Sequence, residues 1–260
     1  MRIEAKGIAA GYGSTPVLRN VDVIADAGQV IGLIGANGSG KTTLLRILAN
    51  LREPDEGAVR YSGQTAAEIG ARALARRISY LAQGGDVHWP MQVETLVALG
   101  RLPHRDDGHS LAHECAIVER AMMAADVLHL RDRTMSQISG GERMRILLAR
   151  ALAVEGEFLL ADEPIAALDP LHQLQVMEML HETARQGRGV IVVLHDLALA
   201  SRFCDRLVLL AEGGVLVQGS PQEVLTDDNV KRAYGVDVVR GERDGVPYLV
   251  PWAPSRDNAG

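Results

Sequence analysis

Residues 35 to 42 read Gly35-Ala36-Asn37-Gly38-Ser39-Gly40-Lys41-Thr42, the full pattern G-x-x-x-x-G-K-[ST]. This spacing suits a phosphate chain, because glycines let the backbone close around an anion with successive N–H groups turned inward, and a helix N-terminus adds its positive pole. Lys41 supplies a point charge for the β- and γ-phosphates, and the Thr42 hydroxyl is placed to ligate Mg²⁺. The candidate nucleotide contacts are therefore Gly35, Asn37, Gly38, Ser39, Gly40, Lys41, Thr42 and Thr43. A second cluster, Phe158-Leu159-Leu160-Ala161-Asp162-Glu163, is an apolar run ending in two acids. It describes a buried strand that delivers carboxylates to the carboxyl edge of a sheet, where ligands of α/β proteins sit. Asp162 is expected in the Mg²⁺ shell, and Glu163 beside the γ-phosphate as base or water-orienting group. The two clusters predict a binder of ATP or GTP.

These residues need particular elements to hold them. The apolar run Val30 to Ile34 reads as a buried strand and Thr43 to Leu48 as a helix, so the glycine-rich loop lies at a strand-to-helix turn. The first 29 residues read as short β elements, Ile3 to Ile8 and Val21 to Ala25, about a Gly11-Tyr12-Gly13 turn. After the loop helix come a turn at Pro54 to Gly57, a short strand from Ala58 to Tyr61, a helical stretch from Ala66 to Arg77 and a strand from Ile78 to Ala82. Residues from about 93 to 153 show no strand pattern and at least three helical stretches, including Val118 to Leu128, which predicts an inserted helical subdomain. Strands Phe158 to Ala161, Val190 to Leu194 and Leu207 to Leu210 then alternate with helices.

The expected fold is α/β: a phosphate-loop NTPase core of mostly parallel sheet with crossover helices, an N-terminal antiparallel β subdomain and the helical insertion. It forms one domain over residues 1–250, with core segments 1–92 and 154–235. Gly213-Gly214 predicts a hairpin turn, and Ser220-Pro221-Gln222-Glu223 a capped helix start. Residues 236–250 form a C-terminal extension with a second hairpin turn at Asp244-Gly245, and 251–260 read as a frayed tail.

Composition narrows the class. The hydrophobic fraction of 47% is ordinary for a globular chain, and no apolar run approaches the ~18 residues of a membrane span. A net charge of −6 argues against a general nucleic-acid binder, and no nucleic-acid partner is expected. Met1 to Lys6 lacks the apolar core of a signal peptide, and Cys115 and Cys204 are too few for a disulfide framework, so reduced thiols in a cytoplasmic setting are expected.

Between the helical stretch and the acidic pair stands Ile138-Ser139-Gly140-Gly141-Glu142. Locally this is a capping box, Ser139 at the N-cap and Glu142 at N3, opening a helix from Arg143 to Ala153; it is also an anion site. With it the chain resembles the ATP-binding subunit of ABC transporters, whose signature is L-S-G-G-Q. Ile138 and Glu142 depart from that signature, and Glu142 brings a negative charge near phosphate.

The resemblance covers roughly residues 1–235 and implies further roles. Ser139, Gly140, Gly141 and Glu142 would contact the γ-phosphate held by the other subunit. Gln83 matches the glutamine that contacts Mg²⁺ or the attacking water, and His195 matches the switch histidine. Asp169 in Ala167-Leu168-Asp169 matches the D-loop, and Tyr12 matches the aromatic residue that stacks on adenine. Implied as well are hydrolysis of ATP with Mg²⁺ and a head-to-tail homodimer sandwiching two ATP. The family further implies integral membrane permease subunits, an indirectly linked substrate-binding protein, and a peripheral place on the cytoplasmic face of the inner membrane.

The segment Val93 to His104 is similar to that of cassettes serving iron–siderophore, haem and cobalamin importers. Its helix, apolar at Val93, Leu96, Val97 and Gly100 and stopped by Pro103, is expected to face a groove that receives the permease, with Leu96 in the groove and Trp89 as an aromatic contact. Soluble ABC ATPases of DNA maintenance or ribosome function share the nucleotide motifs. They carry long coiled coils or two cassettes, whereas Gln83 to Ser139 is 56 residues (139 − 83) without sustained heptads. A cassette for an unrelated solute would share the same motifs.

Overall fold

Strands whose residues are apolar without alternation must be covered on both faces, and five such strands organise this chain. The computed structural model describes residues 1–84, 90–166, 168–243 and 245–255. The first half contains β1 (Arg2–Tyr12), β2 (Thr15–Asp26), β3 (Val30–Gly35), α1 (Lys41–Leu48), β4 (Glu56–Tyr61), α2 (Ala66–Ile69), α3 (Ala71–Arg77) and β5 (Ile78–Leu81). The helical subdomain contains α4 (Val93–Ala98), which runs into a 3-10 segment (Leu99–His104), then α5 (Leu111–Ala124) and α6 (Gly140–Ala153). There follow β6 (Phe158–Asp162), α7 (Pro170–Arg185), β7 (Gly189–Val193), α8 (Leu197–Phe203), β8 (Arg206–Ala211) and β9 (Gly214–Gly219). The chain closes with α9 (Pro221–Val224), α10 (Asp227–Tyr234), β10 (Val236–Arg243) and β11 (Val246–Pro254).

The main sheet has the order β5-β6-β7-β3-β8-β9, parallel except for β9. Successive side chains point to opposite faces, so each strand feeds two cores. Ile31, Leu33, Leu160, Ile191, Val193, Val208 and Leu210 meet α1 and the three-stranded antiparallel sheet β2-β1-β4. Val30, Ile34, Leu159, Ala161, Val190, Val192, Leu207 and Leu209 share a core with α6, α7, α8 and the helical subdomain. Because β3, β5, β6 and β7 are parallel, their carboxyl ends lie on one edge, and every residue with a predicted hydrolytic role follows such an end. Among the described residues no helix is long and apolar enough to cross a membrane. Cys115 is exposed and Cys204 buried, both as free thiols.

Several boundaries differ from expectation. The opening strands are long and continuous: Gly11 pairs with Pro16 and Tyr12 with Thr15, so the turn is Gly13-Ser14 and Tyr12 ends β1. Register shifts along this pair break the alternation on which a sequence pattern relies. The stretch from Ala66 to Arg77 is two helices separated by Gly70, the first capped by Thr65. The helix expected from Val118 to Leu128 is instead α5, begun earlier because Ser110 Oγ accepts from His113 N–H at 3.2 Å. Residues 251–254 are not tail: Val238 pairs with Pro251 and Val236 with Pro254, and Leu249 in the same strand is buried in the core shared with α8. Its prolines are tolerated because β11 lies in a two-stranded ribbon. Residues 256–260 and Asp244 lie outside the described residues, and pairing of Arg243 with Val246 places the second hairpin turn as expected.

Candidate functional site

The first turn of α1 shows why the glycine-rich loop suits an anion. Helices α5 to α10 each carry a Ser, Thr or Asp side-chain cap, whereas α1 begins at Gly40 with no side-chain cap and no acid in its first turn. Its leading N–H groups are thus left for an outside acceptor. Gly40 stands at φ 98°, and a Cβ there would lie 2.5 Å from Leu18 Cδ2, so no other residue fits. Lys41 Nζ donates to the carbonyls of Gly35 (2.8 Å) and Ala36 (2.9 Å), which curls the loop over its own lysine. Burial holds the Lys41 pKa below its ordinary value, opposed by the carboxylates of Glu163 and Asp162. Ser39 Oγ is buried in the loop without a hydrogen-bond partner, an orphan that a phosphate oxygen would satisfy.

Strand β6 delivers the second cluster. Asp162 is fully buried; its Oδ1 accepts from Thr42 Oγ1 at 2.9 Å and its Oδ2 from the Tyr80 hydroxyl at 3.2 Å. Burial raises the Asp162 pKa despite these two donors. A buried carboxylate beside a hydroxyl oxygen, with its charge poorly compensated, fits a hard cation such as Mg²⁺. Glu163, next in sequence, sits at φ 50°, a left-handed conformation that costs a residue with a side chain on the order of 1–3 kcal/mol and gathers at functional positions. Gln83 Nε2 donates to Glu163 Oε2 at 2.6 Å, and His195 Nε2 lies 2.5 Å from Oε1. Three neighbouring strand ends on one sheet edge thus converge, with Glu163 after β6 held by Gln83 after β5 and His195 after β7.

Tyr12, Val17, Asn37, Gly38, Gly40, Lys41, Thr42, Thr43, Gln83, Glu163 and His195 line one cavity of about 830 Å³. Tyr12 is 54% exposed, a position for stacking and not for core packing. Two residues that support the site carry no motif in the sequence. Arg52, from the loop after α1, places its guanidinium carbon 4.1 Å from the Tyr12 ring centroid and donates to the Gly11 carbonyl. Tyr80, midway along β5, holds the buried carboxylate. Only the fold reveals them.

The remaining predicted residues are elsewhere. Ser139, Gly140, Gly141 and Glu142 open α6 and do not line that cavity. Glu142 Oε2 accepts from Ser139 N–H (2.9 Å) and Ser139 Oγ–H (2.8 Å), and these bonds hold its carboxyl below the ordinary range. Asp169 caps α7, accepting from His172 N–H at 3.0 Å, and Leu168 beside it is buried. Ala167 and Trp89 lie outside the described residues.

The expectation for α4 needs correction. Leu96 is 3% exposed and, with Val93 and Val97, forms the interior of the helical subdomain, so it cannot face a partner. A groove of about 500 Å³ lies instead between α4, the 3-10 segment and α5, lined by Thr95, Ala98, Leu102, Leu111 and Cys115 among others. The rest of the importer-like segment is a brace. A Cβ on Gly100 would stand 2.2 Å from the Arg150 carbonyl of α6. Arg101 is buried and donates to Ala153 O (2.8 Å) and to both Glu114 oxygens, while the Pro103 carbonyl accepts from Arg72 and Arg76.

Comparison with known proteins agrees with this geometry. The family model described as "ABC transporter" matches residues 18–166. The chain is 40% identical over 242 residues to the hemin import ATP-binding protein HmuV of Pseudomonas putida, covering 91% of this chain and 94% of that one. It is 37% identical to the cobalamin import ATP-binding protein BtuD of Halobacterium salinarum, covering 93% of this chain and 61% of that one. The dimeric structure of a bacterial ABC transporter cassette, MJ0796, superposes with a TM-score of 0.75 at 26% identity, over 84% of this chain and 98% of that one.

Proposed function

The chain belongs to the ABC transporter family, as an ATP-binding subunit, and from that premise we propose that it hydrolyses ATP to power an importer of hemin or a related metal complex. One observation carries the catalytic half: Glu163, clamped between Gln83 and His195, shares a cavity with Lys41 and Thr42. The loop N–H groups and Lys41 bind the β- and γ-phosphates. Thr42 and Asp162 would hold Mg²⁺, which when bound neutralises charge on the phosphates. Gln83 and His195 engage one oxygen of Glu163 each and so orient the carboxylate. A free lone pair of that carboxylate takes a proton from the attacking water. The water oxygen bonds to the γ-phosphorus as the bridge to the β-phosphate breaks, giving ADP and phosphate.

The second half of the site comes from another copy. Ser139 and Gly140 are exposed and Gly141 partly so at a helix start that does not line the Lys41 cavity, which suits a head-to-tail dimer in which each signature face covers the partner's γ-phosphate. The dimeric cassette structure supports the pairing of two copies. The dimer docks on integral membrane permease subunits at the cytoplasmic face of the inner membrane, with a substrate-binding protein on the far side. Leu102 and Leu111, 57% and 80% exposed at the rim of the α4–α5 groove, mark the docking face.

For the cargo, the hemin import relative at 40% identity favours hemin, and the cobalamin import relative supports a second reading. Iron–siderophore transport rests on the likeness of the Val93 to His104 segment alone. Glu163→Gln should lower hydrolysis by ~10²–10⁴ with ATP binding retained; turnover near that of the parent chain would move the base elsewhere. In a strain lacking the chain, growth on hemin as sole iron source should return with the parent gene and not with Glu163→Gln. Restoration of cobalamin uptake alone would select the second reading.

A further inference from the structure

On the helical subdomain, away from the nucleotide cavity, His109, His113 and Glu114 bring one ligand atom each to within 4.8 Å of one another. We propose that these three side chains form a binding site for a divalent transition metal of the zinc class. The donors come from two elements: His109 from the loop before α5, and His113 with Glu114 from the first turn of α5. His109 Nδ1 lies 3.0 Å from Glu114 Oε1, and the two imidazoles meet edge to face with centroids 4.6 Å apart, so small side-chain rotations converge the ring nitrogens and the carboxylate oxygen. Two imidazoles and a carboxylate, with a water completing the set, are the ligands that zinc and its neighbours prefer over Mg²⁺ or Ca²⁺.

The carboxylate is positioned as ligating carboxylates are. Buried Arg101 donates Nε–H to Glu114 Oε2 at 2.7 Å and reaches Oε1 only at 3.3 Å, which fixes the group while leaving Oε1 turned toward His109. Such a supporting hydrogen bond orients a ligand. Cys115, the next residue, is exposed and lines the same groove as His109 and Glu114. A metal held here would pin the loop before α5 to the helix itself, at the mouth of the α4–α5 groove. That consequence for docking rests on the proposed permease contact; the metal site does not.

The test uses the full chain without nucleotide. Titration with Zn²⁺ by calorimetry, and with Co²⁺ by its visible absorption, is compared for the parent, His109→Ala, His113→Ala and Cys115→Ser. One ion per chain is expected, with each histidine variant at least tenfold weaker and the cobalt bands of the parent lost. Cysteine substitution should leave affinity within a few-fold. ATP affinity, measured on the same samples, should equal that of the parent in both histidine variants and shows that they fold. Equal Zn²⁺ affinity in the parent and both histidine variants, or no binding below millimolar Zn²⁺, would overturn the site while leaving the nucleotide assignment standing.

Discussion

Two helix N-termini in this chain are suited to the same phosphate group and are finished differently. Helix α1 opens without a cap, with Lys41 folded over the loop and Ser39 Oγ unpartnered. Helix α6 opens with a complete capping box, its Ser139 hydroxyl already donating to Glu142. The first is an acceptor site left open by one chain alone. In the second the Ser139 hydroxyl is already engaged by Glu142, so a phosphate gains that donor only by displacing the Glu142 carboxylate. In the proposed dimer this difference puts the cost of closure at the signature face, where Glu142 also adds a like charge. It separates, in that proposed dimer, binding assigned to one copy from hydrolysis assigned to two.

The largest effects should come from breaking either half. Lys41→Ala should abolish measurable ATP binding by the single chain, with affinity falling by at least ~100-fold, through loss of the charge-assisted contact. Ser139→Ala should leave single-chain affinity within about twofold and remove hydrolysis. Calorimetric binding beside an ATPase assay separates them, and equal losses of affinity would erase the distinction.

The subdomain that presents Ser139 depends on the brace under it. Arg101→Ala leaves the Ala153 carbonyl without its donor and Glu114 without its charge partner, which should cost about 2–3 kcal/mol in thermal or denaturant unfolding, less than a wholly buried pair because Glu114 is partly solvated. Arg101 holds the Glu114 pKa down at about 2. A depressed carboxyl pKa contributes stability above its unfolded value near 4.5 and loses it as pH falls toward 2. The gap between parent and variant should therefore narrow over that range, and a gap independent of pH would remove the ion pair from the account.

Smaller effects distinguish the base contact. Tyr12→Ala should weaken ATP about fivefold to tenfold, since stacking contributes on the order of 1 kcal/mol, and Tyr12→Phe should change little. Arg52→Ala should cost about twofold to fivefold through its contact with the ring. Additive losses in Tyr12→Ala with Arg52→Ala would show that the two act independently, contrary to the stacked geometry.

The parts legible in the sequence are those where chemistry dictates residue type at fixed spacing. A phosphate loop needs glycines at special backbone angles, and a capping box needs its serine and glutamate three apart; both are in place, as are the two acids at the end of β6. Less was legible where tertiary partners decide. Leu96 reads equally as a core residue or an interface residue, because a helix shows its apolar stripe and not what covers it. Arg101 looks like a surface charge until Glu114 and the end of α6 close around it. Pro251 and Pro254 read as a broken tail because β11 takes its order from β10 and α8. Tyr12 in a glycine-flanked triplet reads as a turn, yet its hairpin pairing with Thr15 makes it the end of a strand.

The most direct test of the two-part site is the mass of the Glu163→Gln chain by light scattering, with and without Mg-ATP, alongside a Glu163→Gln, Ser139→Ala double variant. A monomer is expected without nucleotide, a doubled mass with Mg-ATP for the single variant, and a monomer throughout for the double variant. No rise in mass with Mg-ATP, or an equal rise in both variants, would contradict it.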